Sequence, residues 1–275
     1  MTMKKVLLTG ASGGIGSRLR SLLKPVYPGL VLSDLKSPPD LREDETFIPA
    51  DLADAAAIEA LCAGVDGIVH LGGFSVEGPW ETILNANIIG CYNLFEAARR
   101  QGVKRVVFAS SNHVMGFHPR STTIGAEAVP KPDTRYGLSK LFGEGLGALY
   151  AHKHGIGTLS IRIGNFGDQP IDERRLAIWL KPDDLVQLIR IGLEKPDLVY
   201  EVVYGMSDNK RAWWDNASAL RLGYRPSGRS EDFAAAALEA QRALPKDPVG
   251  DYFQGGSPFC SQEFDNDFEA LKKRL

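Results

Sequence analysis

The chain has 275 residues, 44% of them hydrophobic, and a domain of this size can bury roughly three quarters of the surface that its unfolded chain exposes. Because 32 lysines and arginines nearly balance 34 aspartates and glutamates, no strong field favours a nucleic acid or an anionic membrane as a partner. The three cysteines form no CxxC pair, so the sequence predicts neither a disulfide framework nor a metal site. We therefore expect small-molecule partners.

The N-terminal segment MTMKKVLLTG holds only a short apolar run, which stops at Gly10. That run is much shorter than the apolar core of a signal peptide or a membrane-spanning helix. The sequence therefore predicts a cytoplasmic protein that is not bound to a membrane.

Short apolar runs alternate with stretches of helical periodicity through residues 1–164. The runs predicted as strands are KVLLT, LVLSD, TFIPAD, GIVHLGG, RVVFASS and TLSIRIG. This alternation indicates a doubly wound α/β fold, in which helices cover both faces of a parallel sheet (Rossmann fold). After Gly164 the pattern is looser, with one further helix in PDDLVQLIRIGLE and one strand in LVYEVVYGMS. We predict a dinucleotide-binding core over residues 1–164 and a smaller substrate-binding lobe over residues 165–275, packed as one compact unit.

A glycine-rich stretch, TGASGGIG, follows the first strand directly and opens the first helix. Its glycines allow a tight turn, close approach of a pyrophosphate to the backbone, and close packing of helix on strand. A flexible connection between strand and helix is the alternative interpretation. The residues assigned to dinucleotide binding in this turn are Gly10, Gly13, Gly14, Ile15 and Gly16.

Two acidic residues follow the next two strands. Asp34 ends the second strand, where a carboxylate that binds ribose hydroxyls is expected. Because that carboxylate would repel a 2′-phosphate, we predict NAD rather than NADP as the cofactor. Asp51 follows the third strand and has two interpretations, a contact to adenine or a cap for the helical segment that begins at Ala53.

The fourth strand ends in HLGG, where two residues without bulk let a cofactor pass close to the backbone. His70 lies on an apolar strand and is predicted to be a core residue with its hydrogen bonds satisfied. The remaining predicted cofactor contacts are Leu52, Leu71, Gly72, Gly73 and Ile163.

The stretch RYGLSK places Tyr136 and Lys140 four residues apart, on one face of a helix. A tyrosine can serve as a base only if its pKa, about 10 in isolation, is lowered, and a nearby ammonium group does this electrostatically. Ser111, at the end of the fifth strand, can hydrogen-bond the reacting oxygen. A tyrosine-lysine pair alone is often a solvated helix edge, but together with the glycine turn, Asp34 and Ser111 it indicates a dehydrogenase site.

Over residues 4–205 the chain resembles the extended short-chain dehydrogenase/reductase family. Besides the motifs above, the resemblance rests on NIIGCYNLFEAAR, ASSNHVMG, IRIGNF and PDDL. The resemblance implies that Tyr136 is the catalytic acid/base, that Lys140 lowers its pKa and binds the nicotinamide ribose, and that Ser111 orients the substrate. It also implies that Asn87 supports the backbone of the active site.

Narrower segments, GIVHLGGFSVEGPWETIL, FASSNHVMGF, WWDN and FQGG, are similar to those of the uronate dehydrogenases within that family. This resemblance implies oxidation of C1 of galacturonate or glucuronate to an aldarolactone with NAD. Arg174 would bind the C6 carboxylate, for which a guanidinium offers a matching planar fork. Phe259 is expected to fold back over the pocket. The residues that the resemblance assigns to the sugar pocket are Ser75, Ser111, Asn112, His113 and Arg174.

The chain departs from the uronate dehydrogenase pattern at Asn165, where that family carries a serine, and in the loop NFGDQPIDERR that follows. Asn165 is also assigned to the substrate site, so the substrate could be another aldose or a 6-phospho or 6-sulfo sugar. The sequence is also compatible with an epimerase or dehydratase acting on a sugar nucleotide, and with a non-catalytic NAD sensor. Because helices such as 82–100 and 135–154 form dimer interfaces in many relatives, we expect a homo-oligomer.

Overall fold

A seven-stranded parallel sheet forms the centre of the fold, in the spatial order β3-β2-β1-β4-β5-β6-β9. The structure is a computed structural model that describes residues 3–275; Met1 and Thr2, the first residues of the predicted core, lie outside the described residues. The strands are β1 (Val6–Thr9), β2 (Leu30–Ser33), β3 (Thr46–Phe47), β4 (Gly67–His70), β5 (Arg105–Ser111), β6 (Gly157–Ile163), β7 (Asn165–Phe166), β8 (Trp179–Leu180) and β9 (Tyr200–Gly205). Strands β7 and β8 pair with each other outside the main sheet.

The helices cover both faces of this sheet. They are α1 (Gly14–Leu23), α2 (Ala55–Leu61), α3 (Trp80–Ile83), α4 (Gly90–Arg100), α5 (Arg135–His154), α6 (Glu173–Ile178), α7 (Pro182–Glu194), α8 (Ala217–Leu222), α9 (Ala234–Gln241), α10 (Pro248–Tyr252) and α11 (Phe268–Lys272). A π-helical segment, Leu84–Ile89, joins α3 to α4. Within residues 3–275, no helix has the length and apolar character needed to span a bilayer.

All six strands predicted before Gly164 are present, although the third is only two residues long. The strand predicted in LVYEVVYGMS was assigned to the smaller lobe, and this assignment is wrong, because β9 pairs in parallel with β6 as the seventh strand of the main sheet. A parallel neighbour needs a crossover helix, and α7 supplies it. The loop between β6 and α7 interrupts the alternating pattern, which concealed this βαβ unit in the sequence.

Two apolar layers pack against the opposite faces of the sheet. Leu8 of β1 belongs to the layer that includes α1 and α7, whereas the adjacent Leu7 belongs to the layer that includes α2, α4 and α5. Both side chains are completely buried. Shortening either leucine to alanine would cost about 2–5 kcal/mol of stability, so these layers hold the strand ends in place.

A third, smaller apolar cluster supports the part of the chain that lies over the carboxyl ends of the strands. Trp214 stacks on Tyr204 with ring centroids 4.7 Å apart, and its indole Nε1 donates to the side-chain oxygen of Gln254 at 2.9 Å. Trp214 is therefore a packing residue of this cluster. This hydrogen bond also holds Gln254, in the C-terminal part of the chain, over the sheet.

Candidate active site

A cleft of about 810 Å³ lies at the carboxyl ends of the central strands, where open α/β sheets bind their ligands. Most of the residues predicted from the sequence line it together. They are Gly10, Gly13, Gly14, Ile15, Gly16, Asp34, Asp51, Leu52, Leu71, Gly72, Gly73, Ser75, Ser111, Asn112, His113, Tyr136, Lys140 and Ile163. Asn165 and Arg174 are not part of this lining.

The glycine turn has the shape that a pyrophosphate requires. Gly10 has a φ of 70°, and a Cβ on Gly16 would lie 2.0 Å from the Gly10 carbonyl oxygen, so both positions require glycine. A Cβ on Gly14 would meet no atom within 4 Å, which shows open space beside the start of α1. Because Gly13 has no side chain to cap α1, the first amides of that helix remain available to an anion. The turn therefore fits a dinucleotide.

Two backbone amides hold the carboxylate of Asp34 at the edge of the cleft. Its Oδ2 accepts from the Ser12 amide at 3.0 Å, and its Oδ1 accepts from the Leu35 amide at 2.7 Å. The carboxylate is therefore fixed beside the glycine turn, where it can accept hydrogen bonds from ribose hydroxyls.

Asp51 does not cap the second helix. Helix α2 begins at Ala55, and Asp54 caps it by accepting hydrogen bonds from the amides of Ala56 and Ala57, each at 3.0 Å. The Oδ1 atom of Asp51 instead accepts from the Ala53 amide at 2.9 Å in a local turn. Of the two interpretations, the helix cap is wrong, because the helix starts two residues later than expected.

His70 is a core residue, as predicted. Its Nδ1 lies 2.7 Å from the Thr9 hydroxyl, and burial lowers its pKa to about 3, so the ring stays neutral near pH 7. Its low basicity and its buried contact with Thr9 fit a structural residue.

The N-terminus of α5 places Tyr136 in the cleft. The Thr134 hydroxyl caps the helix by accepting from the Gly137 amide at 2.9 Å, and a Glu77 carboxylate oxygen accepts from the Tyr136 amide at 3.0 Å. Negative charge at a helix N-terminus is favourable. Sequence patterns did not reveal Glu77, because its role depends on a fold contact with a helix far along the chain.

On balance, the protein's own groups raise the pKa of Tyr136. Burial raises this pKa to about 12, the Ser111 hydroxyl lowers it in part, and the charge of Asp133 raises it further. Burial also lowers the pKa of Lys140 to about 8. A lysine with this pKa still carries its positive charge at pH 7, and its Nζ lies 5.7 Å from the centre of the Tyr136 ring. The groups that shift the pKa of Tyr136 in the protein alone are thus burial, Ser111 and Asp133, and the lowering by Lys140 stays a prediction.

Asn87 connects the loop after β4 to α5, the helix that carries Tyr136 and Lys140. Its Oδ1 accepts from the Phe74 amide at 2.7 Å, and its Nδ2 donates to the Phe74 carbonyl and to the Ser139 hydroxyl, each at 2.9 Å. These bonds place the loop that carries Ser75 against α5.

Arg174 reaches the cleft through Asn112. In the amide orientation that satisfies both polar ends of Asn112, its nitrogen donates to the Ile163 carbonyl at 3.1 Å and its oxygen accepts from Nη2 of Arg174 at 3.0 Å. Burial, followed by the nearby positive charges of Arg120 and Arg175, lowers the pKa of Arg174 to about 10. This end of the site is therefore an electropositive environment that favours an anion.

Phe259 of the C-terminal segment Phe253–Cys260 folds back onto His113, a lining residue of the cleft, as expected. The Phe259 ring stacks on His113 with centroids 3.9 Å apart, and the Gln254 carbonyl accepts from Nε of Arg174 at 3.0 Å. The FQGG motif covers residues 253–256, but no sequence pattern indicated which residues this segment contacts.

Asn165 lies on β7, paired with Trp179 of β8, beside the cleft and not in its lining. Further lining residues were not predicted. They are Thr9, Ser12, Ser33, Leu35, Ala50, Phe74, Thr82, Ala86, Ala109, Ser110, Gly164 and Phe166. Most of them are direct neighbours of predicted residues at strand ends, so the adjacency itself could have identified them. Thr82 lies within the segment GIVHLGGFSVEGPWETIL but was not predicted to line the cleft, and Ala86 lies outside every quoted motif.

Known proteins match both the sequence and the fold. A uronate dehydrogenase of Pseudomonas putida is 49% identical over 255 residues, with 92% of this chain and 94% of that protein covered. A uronate dehydrogenase of Pseudomonas syringae pv. tomato is 46% identical over 261 residues, covering 94% of each chain. The crystal structure of a glucuronic acid dehydrogenase from Chromohalobacter salexigens superposes with a TM-score of 0.89 at 46% identity, covering 94% of this chain and 97% of that chain.

The family model described as the NAD dependent epimerase/dehydratase family matches residues 6–205, which include the glycine turn, the tyrosine-lysine pair and β9. That match spans most of the chain. This protein therefore belongs to the NAD-dependent epimerase/dehydratase family.

Proposed function

We propose that this protein is an NAD-dependent uronate dehydrogenase, which oxidises C1 of galacturonate or glucuronate to the aldarolactone. The observation that carries the proposal is the link from the reacting groups to a buried guanidinium: Ser111 and Tyr136 line the cleft, and the adjacent Asn112 contacts Arg174. The similarity to uronate dehydrogenases over more than nine tenths of both chains supports the same function.

Residues that fit the cofactor surround the inner part of the cleft. The start of α1 would hold the pyrophosphate, Asp34 the adenosine ribose, and Asp51 the adenine, whereas Lys140 would hold the nicotinamide ribose. When bound, NAD accepts a hydride from C1 and adds the positive charge of its nicotinamide ring. The Asp34 carboxylate disfavours the 2′-phosphate of NADP.

Tyr136 takes the proton of the C1 hydroxyl, while Ser111 hydrogen-bonds the same oxygen and holds it in place. Because burial raises the pKa of Tyr136 to about 12, bringing it near 7 requires about 7 kcal/mol of differential stabilisation of the phenolate. Positive charge beside the phenol must supply this stabilisation. The hydride and the proton that leave C1 and its oxygen together convert the hemiacetal to the lactone.

Arg174 binds the C6 carboxylate of the substrate. A buried guanidinium with two further arginines nearby favours an anionic group over a hydroxymethyl group. The Asn112 and Gln254 contacts fix the direction of its remaining N–H groups. Residues 165–275 thus contribute Arg174 to a substrate side that also includes residues of the core, and their strand β9 completes the sheet.

Initial rates of NADH formation test this function. We expect galacturonate or glucuronate to exceed galactose, glucose and their 6-phosphates and 6-sulfonates by at least about 100-fold in kcat/KM. Arg174→Ala should remove that preference, whereas Arg190→Ala, which changes an exposed arginine of α7, should not. Tyr136→Phe should abolish turnover and retain NAD binding in calorimetry. Wild type that oxidises no hexuronate would refute the substrate assignment.

We also propose that the protein forms a homo-oligomer through the outer faces of α4 and α5. Leu138 and Tyr92 are each 50% exposed, and Phe142 and Leu149 are exposed on the same helix as Leu138. Exposed apolar groups on neighbouring helices favour contact with another subunit. Phe142→Glu should yield monomers in sedimentation velocity, while Val129→Glu, at an exposed site outside both helices, should leave the oligomer intact. A wild-type monomer would refute this proposal.

For the location in the cell, we propose the cytoplasm. The three cysteines, Cys62, Cys91 and Cys260, are all buried as free thiols, which is compatible with a reducing compartment. Cell fractionation with an antibody to the chain would test this proposal, and recovery outside the cytoplasmic fraction would contradict it.

A further inference from the structure

A buried pair, His113 and Asp133, lies beside the reacting groups and has no part in the proton transfer described above. Nδ1 of His113 is 2.8 Å from Oδ2 of Asp133, and the two side chains are 9% and 0% exposed. His113 lines the cleft, whereas Asp133 lies behind it. The pair therefore joins the sugar side of the cleft to a carboxylate that the substrate does not reach.

Donor groups surround the Asp133 carboxylate. The Thr134 hydroxyl donates to Oδ1 at 3.0 Å, and the Cys260 thiol contacts Oδ2 at 3.6 Å. Glycine at position 255 makes room for this carboxylate, since a Cβ there would lie 1.8 Å from Oδ2. With donors on both oxygens, the carboxylate acts as an acceptor, so the proton in the contact with His113 lies on Nδ1.

The His113 ring is held from two sides. Phe259 stacks on one face with ring centroids 3.9 Å apart, and Tyr136 approaches at 5.9 Å with an angle of 64° between the rings. Nε2 of His113 has no hydrogen-bond partner among residues 3–275. In a neutral ring, a proton on Nδ1 leaves Nε2 as an acceptor, so the site presents one fixed acceptor next to Tyr136.

We propose that Asp133 is a positioning residue that fixes His113 as its Nδ1-protonated tautomer, so that Nε2 accepts a hydrogen bond from one ring hydroxyl of the sugar. This inference rests on the proposed function and names a part of the substrate that Arg174 does not contact. A site built to hydrogen-bond a substrate hydroxyl rejects analogues that lack it, because the protein group is then left unpaired. His113 thereby contributes to the choice of sugar, and Asp133 acts through it.

A cycle of protein variants and substrate analogues tests the contact. His113→Asn can keep an amide donor near Asp133 but has no atom at the position of Nε2. Rates are measured with the parent uronate and its 2-, 3- and 4-deoxy analogues. We expect wild type to lose about 10- to 100-fold in kcat/KM with one of the three analogues. In His113→Asn, replacing the parent uronate with that same analogue should lower kcat/KM by less than about twofold. Equal losses in both proteins for all three analogues would overturn the proposal.

Nitrogen NMR of protein with labelled histidine tests the tautomer directly. Wild type should show a protonated Nδ1 and an unprotonated Nε2 for His113, and His113→Asn identifies that signal among the five histidines. Asp133→Asn should shift the ring toward the other tautomer, because an amide can also donate to Nδ1. Asp265→Asn, at an exposed aspartate, is the matched control. A wild-type ring protonated at Nε2, or a tautomer unchanged in Asp133→Asn, would contradict the inference.

Folding and function are separated by two further measurements. NAD affinity in calorimetry and cooperative urea unfolding should remain close to wild type in His113→Asn, since the cofactor residues are unchanged. If wild type oxidises uronates but the cycle shows no coupling, only this inference fails. If wild type oxidises no hexuronate, the proposed function fails, and the cycle is run with deoxy analogues of whichever aldose is turned over.

Discussion

Nε of Arg174 donates a hydrogen bond of 3.0 Å to the main-chain carbonyl oxygen of Gln254. The two residues lie in segments that are far apart in the chain, and each segment has a separate contact with the cleft, through Asn112 and through Phe259. The sugar side of the site is therefore assembled from two mutually supporting pieces. A defect in the C-terminal segment should change substrate binding even though it touches no cofactor residue.

Gln254→Leu should weaken both stability and substrate binding. The Gln254 amide is buried and bonds the Pro119 and Thr122 carbonyls and the Trp214 indole, at 3.1, 2.9 and 2.9 Å. Leaving such partners unsatisfied costs about 1–3 kcal/mol each. We expect the free energy of unfolding in urea to fall by about 3 kcal/mol and the KM for uronate to rise at least about fivefold. The Kd for NAD should stay within about twofold.

The exposed Gln262 provides the control for this change. Gln262→Leu introduces the same side chain in the same C-terminal region and should leave both stability and KM close to wild type. An unchanged KM in a destabilised Gln254→Leu protein would show that this segment supports folding alone.

Asp34→Ala should relax the preference for NAD. Removing a carboxylate that accepts hydrogen bonds from ribose hydroxyls weakens the binding of NAD. Removing its negative charge also ends the repulsion of the 2′-phosphate of NADP. We expect kcat/KM for NAD to fall by about 10- to 100-fold and the ratio of NAD to NADP efficiency to approach one. Asp54→Ala should instead cost about 1 kcal/mol through loss of the α2 cap, with coenzyme preference unchanged. If wild type used NADP as efficiently as NAD, the role of Asp34 would be contradicted.

Tyr136 should ionise only at strongly alkaline pH until the coenzyme binds. Its pKa of about 12 in the protein alone means that it stays protonated up to about pH 10. Ultraviolet titration should then give the same tyrosinate signal for wild type and Tyr136→Phe up to that pH. With NAD bound, added positive charge lowers the pKa, so the difference signal should appear at least about two pH units lower. A signal near pH 7 without NAD would show that Lys140 alone suffices.

Local signals in the sequence predicted much of this site, and contacts between distant segments account for what was missed. The glycine turn and the Tyr136–Lys140 spacing are set by a few adjacent residues, so their structure follows from the sequence itself. The position of β9 in the sheet depends on its crossover helix, and the role of Asp133 depends on Cys260, which folding alone brings near. Interactions of this kind leave no periodicity or motif.

His70→Asn should make the protein less sensitive to acid. The folded pKa of His70 is about 3, below its unfolded value of about 6.5, so between these values only the unfolded chain binds the extra proton. Stability is thus lost as the pH falls from about 6.5, by up to about 1.4 kcal/mol per pH unit. Asparagine can keep the contact to the Thr9 hydroxyl without titrating.

Urea unfolding at about pH 7 and pH 5 would measure this effect. We expect wild type to lose about 2 kcal/mol more between the two pH values than His70→Asn does. His152→Asn, which replaces an exposed histidine, should behave as wild type. Equal losses in all three proteins would show that His70 is not the group responsible.

The length of the π-helical segment Leu84–Ile89 determines where the Asn87 side chain lies. Its wider turn directs Asn87 toward Phe74 and Ser139. Deleting one residue between Asn87 and α4 would restore regular α-helical hydrogen bonds, yet it would rotate Asn87 by about 100° relative to α4. Asn87 would then face away from both partners. The number of residues in this segment therefore fixes the position of Asn87, and a length change that makes the helix regular should still weaken the site.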